Sequence, residues 1–268
     1  MQLVAGVRDD YFDLLYHDNR SDLDLTWPDE LVSPRGALVV SPAKALSVYG
    51  SYTMSSLPSS GDQFSSLTVI TQQMKPEQFT NYEAGAKWDV RERLSITSAI
   101  YRLDRTNTRS TDPNDPTRIV QTGSQRTNGF ETGINGDAAP HWQIAGGYSY
   151  QRAFITSATA SAAAGATVAQ VPRHSLSLWN RYQFAPRIGA GLGVIYRSDM
   201  FAAIDDTVTL PGYVRFDGAV FVALTPALRL QANVENLFNT RYTLDADNNT
   251  NISPGSPRAI RIALTARF

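Results

Sequence analysis

Four arginines, Arg105, Arg173, Arg197 and Arg215, fall on the polar phase of alternating segments, with Tyr213 nearby. A guanidinium group is planar, permanently charged and rich in donors, so a cluster of four would favour an anionic ligand. The competing reading is ordinary charge on a hydrated wall, each arginine answered by an aspartate or glutamate. Other chemistry is sparse. His17, His141 and His174 have no second histidine, cysteine or acid at metal-ligand spacing, and His141, beside a short turn, reads as a surface residue. Asp245, Asp247 and Asn249 in "DADNNTN" have the spacing of a calcium loop without its glycine or its final acid. "GAGLGV" (189–194) lacks the last glycine of a dinucleotide fingerprint, and no helix follows it. With no G-x-S-x-G and no phosphate loop, the expectation is a protein that is not an enzyme, with no catalytic residue and no resident metal or cofactor.

Composition narrows the setting. The formal net charge is −1, which leaves no basic footprint for nucleic acid. There are no cysteines, so disulfides and thiolate metal sites are excluded. No apolar run reaches the ~18 residues of a membrane helix. The first residues, "MQLVAGVRDDYFDLLY", lack the basic stretch and apolar core of a signal peptide and read as a strand already under way.

What must position the arginines is therefore β-structure. Apolar and polar residues alternate in "VRFDGAVFVAL", "LRLQANVEN", "SLSLWNRYQF" and "NYEAGAKWDV". Twelve such segments are expected, at roughly 2–16, 35–41, 46–55, 79–90, 93–107, 118–137, 141–154, 173–184, 188–198, 213–224, 227–236 and 258–268. The Ala-rich stretch 157–170 reads as a loop. Connections alternate between short ones (41–44, 91–93, 138–140, 185–187, 225–226) and long ones (17–34, 56–78, 108–117, 155–172, 199–212, 237–257). Outer-membrane barrels have short periplasmic turns and long extracellular loops. A soluble sandwich has no reason to sort its loops to two ends. Aromatics such as Trp88, Trp142, Tyr148, Tyr150, Tyr182, Phe184 and Tyr196 cluster near strand ends, as interfacial girdles do. The expected fold is all-β: an antiparallel transmembrane barrel sheet with both chain ends on the periplasmic side. In the terminal strand "AIRIALTARF", Ile260, Ile262, Leu264, Ala266 and Phe268 face lipid, while Arg261 and Arg267 face the lumen or rim. Gly189, Gly191 and Gly193 share one face and would admit a closely approaching backbone or simply curve the strand.

Several stretches together resemble the TonB-dependent siderophore receptors. They are "SPRGALVVSPAKALSVYGSYTMSSLPSSGDQF", "KPEQFTNYEAGAKWDV", "RTNGFETGINGD", the N-L-F-[DN]-x-x-Y signature at Asn236, Leu237, Phe238, Asn239 and Tyr242, and "SPGSPRAIRIALTARF". They occur in the family's order along nearly the whole chain. "SLPSSGDQF", "YRLDRTNTR", "RSDMF" and "NTNISPGSPR" look most like the receptors for ferric catecholate siderophores. The resemblance implies a receptor in the Gram-negative outer membrane that takes up a ferric siderophore, with iron only as part of that ligand. It also implies energy from the TonB complex, delivered through a plug domain, and a terminal strand (Ile260, Ile262, Leu264, Phe268) read by the barrel-assembly machinery.

The family's barrel has about 22 strands with an N-terminal plug inside. Residues 1–268 correspond to the C-terminal portion of such a barrel, so the plug, the TonB box, a signal peptide and about ten strands are expected to lie outside this sequence. The rival is a self-contained twelve-stranded channel or translocator. An outer-membrane hydrolase ranks lower, for want of a serine–histidine pairing.

Overall fold

The computed structural model describes residues 1–19, 22–58, 74–112, 114–159 and 162–267. Twelve strands make one antiparallel sheet. In spatial order they are β1 (Gln2–Asp18), β2 (Leu23–Ala43), β3 (Leu46–Leu57), β4 (Glu77–Arg91), β5 (Leu94–Asp112), β6 (Asp115–Ala139), β7 (Trp142–Ser157), β8 (His174–Ala185), β9 (Ile188–Arg197), β12 (Tyr213–Ala223), β13 (Leu228–Glu235) and β16 (Ala259–Ala266). Two small hairpins stand apart: β10 (Met200–Phe201) with β11 (Thr209–Leu210), and β14 (Thr243–Ala246) with β15 (Ile252–Pro254). No helix among the described residues is long and apolar enough to cross a membrane.

Register shows why the alternation matters. One row across the sheet is Tyr49, Gly85, Ala99, Glu131, Ser149, Ser175, Arg197 and Tyr213. The adjacent row is Val48, Ala86, Ser98, Thr132, Tyr148, Leu176, Tyr196 and Val214. The first row belongs to the polar face. The second belongs to a face on which Trp88, Ile100, Leu192, Val220, Ile260, Ile262 and Leu264 stay exposed. An apolar face left bare of protein is what lipid requires, and the polar face then lines a hydrated interior. Trp88, Trp142, Tyr182 and Phe184 mark the short-turn edge of the apolar band, and Tyr52, Tyr82, Tyr148 and Tyr150 mark the other. Trp142 and Tyr150 lie eight residues apart on β7. At ~3.4 Å per residue that is roughly 27 Å along a tilted strand, a membrane-spanning length.

One expectation changes. Segments 17–34 and 108–117 are not long loops: β1 runs on to 18 and β2 starts at 23, and β5 and β6 run on to 112 and from 115. At 21 and 25 residues, β2 and β6 are about twice a spanning strand, so their distal arms stand clear of the membrane. There the inner face packs Leu25, Asp29 and Leu31 out of solvent, while the outer face carries Asp9, Asp13 and His17. With water on one side and protein on the other, charge no longer marks a face. Most of the expected loop 56–78 lies outside the described residues. Two glycines of β9 lie against a side chain of the neighbouring strand β8. The indole of Trp179 lies across Gly191 and Gly193, so close that a Cβ on Gly193 would sit 2.6 Å from the ring. The sheet is open, as the expected portion of a larger barrel would be: among the described residues β1 and β16 are its two ends and do not pair. A self-contained twelve-stranded barrel would need that pairing, because unpaired edges in lipid cost several kcal/mol per group.

The remaining long connections pack on one another. Val120, Ile155, Ala162 and Ile204 form one buried cluster, and Met200, Ala202, Leu210 and Ala246 form a second. The first joins the Ala-rich stretch to loop 199–212, and the second joins loop 199–212 to the β14–β15 hairpin.

Candidate functional site

Arg197 ends β9, and its register partner Tyr213 opens β12. The Arg197 guanidinium lies 5.9 Å from the Tyr213 ring centre, and its Nη1 donates to the Leu244 carbonyl at 3.2 Å. The Tyr213 ring stacks on Tyr242, with centroids 4.4 Å apart. Arg215, two residues along the same face, donates to the Tyr242 hydroxyl at 3.1 Å and binds Asp217 at 2.7 Å. Arg173 is exposed just before β8, where its carbonyl accepts from Gln151 at 3.0 Å. Its guanidinium has no acid partner among the described residues.

Arg105 stands apart from this group. It lies six residues along β5 from Ala99, in whose row Arg197 sits, and β5 is four strands from β9. That is roughly 20 Å along the strands and roughly 20 Å across them. Arg105 binds Glu77, which is buried, at 2.6 Å, and it covers the Phe79 ring at 4.9 Å. The structure thus joins Arg197, Tyr213 and Arg215, sets Arg173 near their edge, and leaves Arg105 elsewhere. Arg105 and Arg215 already have carboxylates. The positive charge still open to a ligand is that of Arg173 and Arg197.

Below Arg197 the polar face forms an open trough of about 430 Å³, with Ser149, Ser175, Ser177, Gly133 and Gly147 along its floor and Glu131 on the far side. Beyond Glu131, the Tyr49 hydroxyl donates to Glu83 at 2.5 Å, and the Tyr49 ring covers Gly85. Small side chains and charges of both signs make a surface along which a polar solute can pass. Among the described residues no group of histidines, aspartates and glutamates is arranged to hold a metal ion. Asp247 accepts from the Asn251 amide at 2.7 Å, so the loop with calcium-like spacing closes on itself.

Tyr242 and Asn236 hold this end of the sheet in place, and their roles were not visible in the sequence. Asn236 is buried and takes a left-handed backbone, φ 52°. Its backbone N–H donates to Asp217 at 2.8 Å. Its side-chain amide donates to the carbonyls of Thr240 (2.9 Å) and Ser256 (3.1 Å) and accepts from the Thr240 N–H (2.8 Å). Asn239, also left-handed, accepts from the Arg258 N–H at 2.9 Å. The N-L-F-N signature is thus a clamp that ties the end of β13 to the approach to β16.

The loops above are cross-tied. The Gln170 amide donates to the Ala246 carbonyl, and the Gln170 N–H donates to Phe201 at 2.8 Å. Thr167 donates to Asp206 at 2.9 Å, and Asn249 donates to Asp205 at 2.9 Å. Partial burial pushes the Asp205 carboxyl up, but hydrogen bonds from Asn249 and Thr207 outweigh it and hold the group below the usual carboxylate range.

At the opposite edge, Ile260, Ile262 and Leu264 of β16 lie on the lipid face, register partners of Val234, Ala232 and Leu230. Phe268 lies outside the described residues.

Residues 1–237 match the family described as TonB dependent receptor-like, beta-barrel. The probable TonB-dependent siderophore receptor PiuA of Acinetobacter baumannii is 29% identical over 229 residues, covering 80% of this chain and 31% of that protein. The catecholate siderophore receptor Fiu of Escherichia coli K12 is 31% identical over 234 residues, covering 82% of this chain and 30% of that one. The crystal structure of PiuA superposes with a TM-score of 0.83 at 26% identity, over 98% of this chain and 40% of that chain. The chain therefore spans about three-tenths of the length of the curated relatives it matches. Its strand pattern and these relatives put it in the outer membrane of a Gram-negative cell. The chain belongs to the TonB-dependent receptor β-barrel family.

Proposed function

We propose that residues 1–268 form the C-terminal part of the barrel wall of a receptor that takes up a ferric siderophore, of the catecholate class, across the outer membrane. Iron enters only as cargo within the siderophore. The role is capture by the loops and gated passage along the polar face, with no covalent chemistry. Arg173 and Arg197, with Tyr213, meet the anionic ligand at the entrance, while Arg105 and Arg215 shape the wall around them. The TonB complex supplies the energy through a plug domain outside this sequence, and the barrel-assembly machinery reads the last strand, Ile260, Ile262, Leu264 and Phe268.

The observation that carries this reading is the positive charge left open at Arg173 and Arg197 above a hydrated trough. Ferric catecholates are anionic, and a rigid guanidinium suits them. The name of Fiu, a catecholate siderophore receptor, supports the subclass.

The test replaces the matching part of Fiu with this chain and measures iron-limited growth and uptake of a ferric catecholate. Uptake is expected to be restored and to fall when Arg173 and Arg197 are both changed to Ala. A chimera that inserts normally but takes up no ferric catecholate would remove the proposal. Unchanged uptake in the double variant would remove the site and leave the fold untouched.

A further inference from the structure

The polar face carries a second group of arginines, at its short-turn end. Arg187 and Arg229 flank Ala223: the Ala223 N–H donates to the Arg187 carbonyl at 2.8 Å, and Arg229 is the register partner of Ala223 on β13. Arg267 lies one step further out, where its N–H donates to the Ala227 carbonyl at 2.9 Å. One step the other way, Gln183, Gly189, Phe221 and Gln231 share a row. The Arg181 guanidinium covers the Phe221 ring, 4.4 Å from its centre. Arg181, Arg187, Arg229, Arg267, Phe221 and Gln231 line a cavity of about 380 Å³, and no aspartate or glutamate among the described residues lines it. Asp137, two strands from Arg181 in the same row, is already held by Arg93 at 2.8 Å.

These side chains look into the lumen. Gly191, the register partner of Arg181, is six residues from Arg197 on β9, and an even spacing means one face. Arg187 is ten residues from Arg197, roughly 34 Å along the strand direction, so the two lie at opposite ends of the wall. Both ends then show the same pairing of open cations with an aromatic ring: Arg173 and Arg197 with Tyr213 above, and the four arginines with Phe221 below. Like charges gathered without an acid raise the local potential and draw an anion. The Phe221 ring stands half-buried in a row otherwise made of glutamine and glycine, where it gains nothing from water.

We propose that this cavity is a second binding site for the cargo, at the periplasmic end of the wall, and that it takes an anion built from aromatic rings. It rests on the cargo being a ferric catecholate. Arg187 and Arg229 are two strands apart, roughly 10 Å between backbones, with the small Ala223 between them. That leaves room for an anionic group to lie across the wall and accept from both guanidinium forks. A catechol ring extends the stack that Arg181 and Phe221 begin. A ringless anion, or an acidic protein surface, answers the charges and leaves the Phe221 ring bare. Cargo leaving the entrance is thus met again before it reaches the periplasm.

The test is equilibrium dialysis of the full chain in neutral detergent against ferric tris-catecholate. Two complexes per chain are expected. Arg173→Ala/Arg197→Ala should remove one of them. Arg187→Gln/Arg229→Gln should spare that one and weaken the other about tenfold or more. Phe221→Leu should weaken ferric tris-catecholate at the periplasmic site about threefold or more and leave ferric citrate, a ringless anion, unchanged. A single complex that Arg187→Gln/Arg229→Gln does not touch would overturn the proposal and leave the entrance standing. A single complex lost in that variant would support it even with the entrance gone. Absence of binding by the unaltered chain would overturn both sites. Equal losses for the two anions in Phe221→Leu would mark a site for any anion and overturn the aromatic assignment.

Discussion

The ring of Tyr242 lies flat against Gly255, so closely that any Cβ at that position would run into the ring carbons. The Gly255 N–H also donates to the Tyr242 carbonyl, at 2.8 Å. The hydroxyl of the same tyrosine accepts from Arg215, and its ring stacks on Tyr213, so one glycine fixes the floor under the candidate site. Gly255→Ala is expected to displace Tyr242 and cost about 1–3 kcal/mol, as overpacking does. Tyr242→Phe keeps the ring and loses only the Arg215 bond, about 0.5–1.5 kcal/mol. Denaturant titrations of the two variants in micelles separate packing from hydrogen bonding.

Asn236 makes a stricter demand. Asn236→Ala leaves the Thr240 and Ser256 carbonyls without their donor and puts a Cβ-branched-free but non-polar residue at φ 52°. Neither Thr240 nor Ser256 is buried, so each lost hydrogen bond is expected to cost about 0.5–1.5 kcal/mol. Asn236→Asp keeps the acceptor and the shape but cannot donate, so it is expected to be nearly as damaging. Hydrogen exchange at Thr240 and Arg258 should report the loosening of both amides in Asn236→Ala, whereas Asn236→Asp still accepts from the Thr240 N–H.

Trp179 and the β9 glycines form a second interlocked pair. Gly193→Val must push the indole off the strand, at a cost of about 1–3 kcal/mol. In a background where Trp179 is the sole tryptophan, its emission is expected to shift to the red and become open to acrylamide. An unchanged spectrum would show that the indole does not need the glycine surface.

Acid should loosen the loops. The folded pKa of Asp205 lies below its unfolded value, so its stabilising share is complete above the unfolded pKa. That share is lost as pH falls through the folded pKa, below the usual carboxylate range. Protease cleavage within 199–212 is expected to accelerate in that window, and Asp205→Asn should show the fast rate already at neutral pH.

The arginines are expected to rank by how far their charge is already answered. In the Fiu chimera, Arg197→Ala should weaken ferric catecholate binding about tenfold or more, the worth of a charge-assisted bond. Arg105→Ala, with Glu77 already holding the guanidinium, should stay within about twofold. A titration of ligand against each variant measures both.

The strands were legible wherever lipid lies on one side and water on the other, because that contrast writes a period of two into the chain. This is why β8, β9, β12 and β13 fall close to where alternation puts them. It also explains why the arms of β1–β2 and β5–β6 were missed. Above the bilayer the contrast vanishes, Asp9 and Asp13 stand on the same face as Leu3 and Val7, and Pro28 sits within β2. The arginines of the site were legible by parity alone. The Arg215–Asp217 pairing could have been found too, since two residues apart on a strand means one face. The Arg105–Glu77 pairing could not, because it depends on the register of β4 against β5 across 28 residues of sequence. The clamp role of Asn236 was hidden for the same reason: its partners, Asp217 and Ser256, come from separate hairpins.

Gln170 bridges two neighbouring loops at once, reaching Phe201 through its backbone and Ala246 through its side chain. Transplanting one of these loops into a relative would cut bonds that the other two supply. The geometry of these loops is therefore inherited as a three-loop cassette, and recombination that respects the cassette's borders has the best prospect of moving it intact.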